Sequence, residues 1–197
     1  MGSRNIEAWV INLKEREDRM KLFAENKFPF KVNRFDAIRT DPGWVGCTQS
    51  HFSILQIYKK LPVLIMEDDM ILIQDWKVVE QSISELPEDW DALWLGATLC
   101  IKQLRHSEHL FRLKGGLCAH AIIYKSERII KYIIDNHVRF FNTCPNRKTI
   151  DVFYCDEIQH IFNCFLVYPY AATQRAGYSD IERSGQDYTN IINNPDL

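Results

Sequence analysis

Five consecutive apolar residues, Pro62-Val63-Leu64-Ile65-Met66, stop abruptly at three adjacent carboxylates, Glu67-Asp68-Asp69. A short continuous apolar run of this kind suits a strand covered on both faces, as in parallel sheets layered with helices. A chain built around such a strand must place helices on both sides of a central sheet.

The neighbouring segments fit that plan. Ala8 to Leu13 is a short strand pattern followed by the charged crest Lys14 to Met20 and a helix reaching about Asn26. Lys31 to Ala37 reads as a second strand, ended by the Thr40-Asp41-Pro42-Gly43 turn signal. Between Gly46 and Lys60, Cys47, His51, Ile54, Leu55 and Tyr58 recur on one helical face. Further helices are expected over Trp76 to Leu86 and Val152 to Phe162, and strands over Ala92 to Leu95, Ala119 to Tyr124 and Phe165 to Tyr168. The alternation predicts an α/β/α sandwich with a mainly parallel, Rossmann-like sheet.

A length of 197 residues, with 46% hydrophobic and 25% charged side chains, suits one domain over 1–197 and excludes a disordered chain. No repeat or Pro/Gly/Ser linker divides it, although this length also fits a segment of a longer protein. Lys and Arg total 24 against 26 Asp and Glu, so no net positive field exists to hold nucleic acid. No apolar run approaches the roughly 18 residues of a membrane helix, so no transmembrane segment is expected. The first dozen residues lack the pattern of a secretory leader, and no N-x-S/T acceptor occurs. A cytoplasmic address, with contact to a membrane surface left open, is the expectation. The six cysteines are scattered, show no C-x-x-C and no Cys–His pairing at zinc-ligand spacing, and read as buried thiols.

In open α/β sheets ligands bind beyond the carboxyl ends of the strands, and the triplet stands at such an end. Three neighbouring carboxylates repel by about 3 kcal/mol per pair at ~5 Å and an effective dielectric of 20. No Lys or Arg lies between Lys60 and Lys77 to offset this, so a hard divalent cation is expected. An ion at a strand end commonly serves a phosphate-bearing ligand. Asn12 and Leu13, with Lys14, Arg16 and Arg19, follow the first strand where a pyrophosphate could be met, although helix-surface charge explains the basic residues equally. Phe35-Asp36-Ala37, after the second strand, could border a base and ribose.

The ordered set Val10-Ile11-Asn12-Leu13, Arg34-Phe35-Asp36-Ala37, Gly46-Cys47-Thr48-Gln49-Ser50-His51, Leu64 to Asp69 and Asp91 to Gly96 resembles glycosyltransferase family 25. The resemblance continues through Ala119 to Tyr124, Ile150 to Phe153, Gln174 and Gly177 to Glu182. That family includes bacterial lipopolysaccharide β-galactosyltransferases and collagen galactosyltransferases. The resemblance implies a GT-A fold, a nucleotide diphosphate sugar donor, most often UDP-galactose, a glycan or glycoconjugate acceptor, and inverting transfer assisted by manganese or magnesium.

It further implies that the triplet corresponds to a D-x-D element, with Glu67 and Asp69 as metal ligands and Asp68 between them. Asp151 is implied as the general base, although a helix cap explains it from sequence alone. Asp156 and Glu157 lie close enough for that assignment to slip. Ser50, His51 and Gln174 join Asn12, Leu13, Arg16, Arg19, Phe35, Asp36, Ala37 and Asp68 as donor contacts, and Asp180 is a candidate late metal ligand. The alternatives are a non-catalytic sugar-nucleotide or glycan-binding module, and a metal-dependent phosphohydrolase.

Overall fold

The computed structural model describes residues 6–143, 149–179 and 184–186. In chain order the elements are β1 (Glu7–Asn12), α1 (Glu17–Phe23), β2 (Val32–Asp36), α2 (Gly43–Ile57), β3 (Val63–Glu67), β4 (Met70–Leu72) and α3 (Trp76–Ser84). There follow β5 (Ala92–Trp94), β6 (Thr98–Leu99), β7 (Leu104–Arg105), β8 (Leu110–Arg112), β9 (Gly116–Leu117), β10 (Ala121–Tyr124) and α4 (Glu127–Thr143). Then come α5 (Ile150–Phe153), continued by a π-helical stretch (Tyr154–Ile158) and α6 (Gln159–Ile161), and β11 (Cys164–Val167), β12 (Ala172–Gln174), β13 (Gly177–Ser179) and β14 (Ser184–Gln186).

Eight strands form the central sheet in the order β2-β1-β3-β10-β5-β11-β8-β7. β1 is parallel to β2 and β3, and β5 to β11, whereas β10 runs antiparallel between β3 and β5, and β8 antiparallel between β11 and β7. Only β10 and β8 therefore oppose the common direction, and the sheet is mostly parallel, a GT-A-like α/β arrangement.

The apolar run of β3 is divided between two cores. Val63 and Ile65 face α2, α4 and α5, while Leu64 and Met66 face α1 and α3. All four side chains are fully buried. Burying each contributes roughly 1.5–3 kcal/mol, which is why the run tolerates no polar residue before Glu67. The same alternation divides β10, with Ile122 and Tyr124 in one core and Ala121 and Ile123 in the other.

Two features depart from the sequence reading. Helix α4 was not among the expected elements, although Ile129, Ile130, Ile133 and Phe140 are its buried residues at helical spacing. The helix expected over Val152 to Phe162 starts at Ile150 and widens into the π-helical stretch, so Asp151 lies inside its first turn and Thr149 is the N-cap. Other boundaries move by a few residues; α2, for example, begins one turn earlier than Gly46.

One buried polar junction ties the far part of the sheet to α4. Asp91, wholly buried, accepts from Arg128 Nε at 2.6 Å and Nη2 at 2.5 Å, from the Ser126 hydroxyl, and from the Asn163 backbone N–H at 2.8 Å. Such a carboxylate is tolerated inside because its acceptor capacity is filled.

Candidate active site

β1, β2 and β3 end side by side, and their carboxyl ends open onto a cleft lined by Asn12, Leu13, Arg19, the 37–40 segment, Gly43, Cys47 and the triplet. The 37–40 segment is anchored from beneath. Ala37 N–H donates to the Asn12 carbonyl at 2.9 Å, and Ile38 N–H to Ser50 Oγ at 2.9 Å. Gly46 N–H donates to Thr40 Oγ1 at 2.6 Å. Gly46 must lack a side chain, since a Cβ there would stand 2.0 Å from the Ile38 carbonyl oxygen.

The triplet does not act as three equivalent ligands. Asp68 accepts from Asn12 Nδ2 at 2.6 Å and from Arg19 Nη1 at 2.9 Å, and is 8% exposed. No Lys or Arg stands near the triplet in sequence, yet Arg19, 49 residues earlier in the chain, supplies part of the positive charge. Burial still outweighs Arg19 and Asn12, so the Asp68 carboxyl sits above its usual range.

Glu67 turns the other way, toward α2. Its Oε1 lies 3.1 Å from His51 Nε2 and 3.7 Å from Cys47 Sγ. Burial pushes the Glu67 carboxyl up, but His51, His120 and Cys47 outweigh it and hold it below its ordinary value. Asp69 has the opposite balance. Burial, then the charges of Glu67 and Asp68, push its carboxyl up to about 7, against partial relief from Arg19 and a hydrogen bond with Gln174. Asp69 Oδ1 is buried and has no hydrogen-bond partner among the described residues.

The late part of the chain reaches this point through the β4–β12 pairing, in which Gln174 stands opposite Met70. The Arg175 N–H donates to the Asp69 carbonyl at 2.7 Å. On the other flank the Glu67 N–H donates to the His120 carbonyl at 3.0 Å, and the His120 side chain is 2% exposed.

Asp151 reaches the same end of the sheet. Its Oδ2 accepts from Cys118 N–H at 3.2 Å and its Oδ1 from Val152 N–H at 3.0 Å. The Cys47 thiol, raised well above its usual range by burial and then by Glu67, Asp151 and Asp69, lies in the field of all three carboxylates. Cys118, which Asp151 holds, has a positive φ of 80°. A strained residue beside a carboxylate is a frequent companion of functional sites.

Several expected donor contacts have other partners. Ser50 Oγ, besides accepting from Ile38, donates to the Gly46 carbonyl at 2.6 Å inside the helix. Phe35 packs against the core, Asp36 pairs with Arg34 at 3.3 Å, and Arg16 pairs with Asp18 at 3.0 Å. Asp180 lies outside the described residues, as do Ile181 and Glu182.

Sequence reasoning missed two things. It did not foresee the Ile38-Arg39-Thr40 wall, although its place just after β2 was the available signal. It also found no Cys–His pairing, whereas Cys47 and His51, one turn apart on α2, meet Glu67 with all three ligand atoms within 4.8 Å of one another. The third member comes from a strand sixteen residues beyond His51, so spacing within the helix alone could not disclose it.

The fold is that of a GT-A-like glycosyltransferase. It is similar to the apo-form glycosyltransferase GlyE of Streptococcus pneumoniae TIGR4, with a TM-score of 0.50 and 9% identity over 83% of this chain and 45% of that one. A second GlyE structure gives 0.45 at 11% identity over 82% and 38% of the two chains. A nucleoside-diphosphate-sugar pyrophosphorylase of Vibrio cholerae RC9 gives 0.37 at 12% identity over 84% and 74%. This chain thus spans less than half of the GlyE chain, and the likeness at such identity defines the fold alone. No family model and no curated protein matches the sequence. Among the described residues no helix is long and apolar enough to cross a membrane.

Proposed function

We propose that this domain transfers a hexose, galactose-like, from a nucleotide diphosphate sugar, UDP-linked, to a hydroxyl of a glycan or glycoconjugate, with inversion. The observation that carries this reading is the convergence of Asn12, Arg19 and the acidic triplet in one cleft at the ends of β1 and β3. Crevices at strand ends of α/β sheets are where nucleotides bind.

On this reading Asn12 and Arg19 hold Asp68 in place, and Arg19 presents its remaining positive charge to the diphosphate. Glu67 and Asp69 are the residues that would hold a divalent ion, and the unpartnered, buried Oδ1 of Asp69 fits that role. Bound there, manganese or magnesium would supply Lewis-acid neutralisation of charge on the diphosphate. Asp151 takes the proton of the acceptor hydroxyl as its oxygen attacks the anomeric carbon opposite the leaving group. That geometry inverts the anomeric configuration.

A thermal-shift panel of UDP, GDP, dTDP and CMP, each with and without manganese, tests the donor site. A ligand at 100 times its dissociation constant adds about 2.7 kcal/mol, worth roughly 5–10 °C here. The expected result is a manganese-dependent shift with one diphosphate, UDP first. No shift with any nucleotide sinks the reading.

A second reading, a sugar-nucleotide-binding module without turnover, draws on one observation. Both oxygens of Asp151 already accept backbone N–H groups, which occupies the atoms that a base would turn toward an acceptor hydroxyl. Donor binding with no transfer to any acceptor, and no donor hydrolysis, favours that module.

A further inference from the structure

Cys47 and His51 approach a single atom, Glu67 Oε1, at 3.7 and 3.1 Å. Tetrahedral zinc, with bonds of about 2.0–2.3 Å to nitrogen, oxygen and sulfur, sets its ligand atoms roughly 3.3–3.8 Å apart. Both distances to Glu67 therefore need shifts of only a few tenths of an ångström, and the whole set lies within 4.8 Å.

The donors also differ in kind from an all-oxygen site. Thiolate and imidazole select zinc-class ions, whereas magnesium and manganese prefer carboxylate, carbonyl and water. We propose that the floor of the cleft binds a zinc-class divalent ion through Cys47 Sγ, His51 Nε2 and Glu67 Oε1, with a fourth position open to the cleft.

The surroundings support an ion at this point. Asp69 Oδ1 is buried beside Glu67 with no hydrogen-bond partner among the described residues, and such atoms are normally satisfied by an ion or its bound water. Cys47 and Glu67 both line the cleft, so an entry path exists, while His51 is fully buried behind them. On binding, the thiol releases its proton to solvent and the neutral imidazole carries its proton on Nδ1. The assignment does not rest on the transferase reading, and Glu67 is the one residue it shares with the carboxylate pair proposed there.

Metal-stripped protein titrated with Co2+, without nucleotide, provides the test. The expected result is one equivalent bound, with a thiolate-to-cobalt charge-transfer band that Zn2+ abolishes by displacement. Losing a mere outer-sphere partner of a metal ligand costs roughly 10–100-fold in affinity. Cys47→Ser should therefore remove the band and weaken zinc by at least about a hundredfold, His51→Gln should weaken it comparably, and Cys100→Ser should leave the band intact.

Survival of the band in Cys47→Ser overturns the proposal. So does loss of binding in Asp69→Asn with full retention in Cys47→Ser, which would assign the ion to carboxylates alone and leave the transferase reading standing. Should Cys47→Ser fail to fold, X-ray absorption of the wild-type zinc form decides, with one sulfur in the coordination sphere expected and an oxygen-only sphere refuting. An intact thiolate site with no nucleotide shift would instead sink the transferase reading and leave this site in place.

Discussion

The Arg19 guanidinium lies 2.9 Å from Asp68, so the helix after the first strand neutralises the middle carboxylate at the end of the third. Both side chains are largely buried, at 18% and 9% exposure, and Asn12 completes the contact from β1. Arg19→Ala leaves Asp68 buried without a cation, and breaking buried pairs of this kind typically costs about 3–5 kcal/mol. Urea denaturation should show a loss on the order of 3 kcal/mol, with the nucleotide shift lost as well. A neutral effect on stability would mean that Asp68 is solvated from the cleft.

Asp69→Ala should abolish the manganese-dependent part of the nucleotide shift while the domain stays folded. The side chain carries an unpartnered buried oxygen and is crowded by Glu67 and Asp68, so its removal relieves repulsion. A melting temperature equal to or above wild type without ligand, together with loss of the metal effect, is the expected pair of results. An unchanged metal effect removes Asp69 from the proposed ligand set.

Asp151→Asn keeps an acceptor for the Cys118 N–H and removes the basic carboxylate. General-base loss typically costs about 10²–10⁴-fold in rate. Transfer to an acceptor should fall by at least about a hundredfold with donor affinity preserved, read by steady-state kinetics beside calorimetric binding. Wild-type turnover in this variant moves the base elsewhere, with Asp156 and Glu157 the next residues to test.

Gly46→Ala puts a Cβ where the Ile38 carbonyl stands, at 2.0 Å, and backbone must move to admit it. The segment that moves is the cleft wall, so nucleotide affinity and stability should fall together. Overpacking of this kind costs typically about 1–3 kcal/mol, here at or above the upper end. Differential scanning calorimetry and nucleotide titration of the same sample check both.

Glu85, far from the cleft, should contribute to acid sensitivity. Burial pushes the Glu85 carboxyl up, but Ser107, the ring and backbone of His109, and Gln81 outweigh it and hold it at about 2, against an ordinary value of 4.5. A depressed carboxyl stabilises the fold fully above the unfolded value and loses that contribution as pH falls through the folded one. Glu85→Gln should be less stable at neutral pH and should lose less on acidification from about pH 4.5 to 2. Parallel pH profiles for variant and wild type would refute the assignment.

Part of the cleft is legible in the sequence. Asn12, Leu13 and the triplet stand out because they sit at the ends of apolar strands, where such sheets bind ligands, while Arg19 and Ala37 give weaker signals beside them. Ser50, Phe35 and Asp36 belong to the same motifs, yet they face the helix interior, the core and Arg34 respectively. Motif membership follows the chain, whereas facing is set by packing.

The sequence alone determined that a doubly covered strand ends on three carboxylates, because alternating side chains of an apolar run must fill two cores. It determined the layer architecture for the same reason. It left open how the carboxylates are divided: Asp68 to Arg19 and Asn12, Glu67 to His51 and Cys47, Asp69 without a donor for Oδ1. It also left open that β10 runs against its neighbours and sets His120 beside Glu67. Those outcomes depend on residues 16 to 56 positions apart meeting in space. Local pattern encodes which face is buried, and only tertiary structure decides which charges share it.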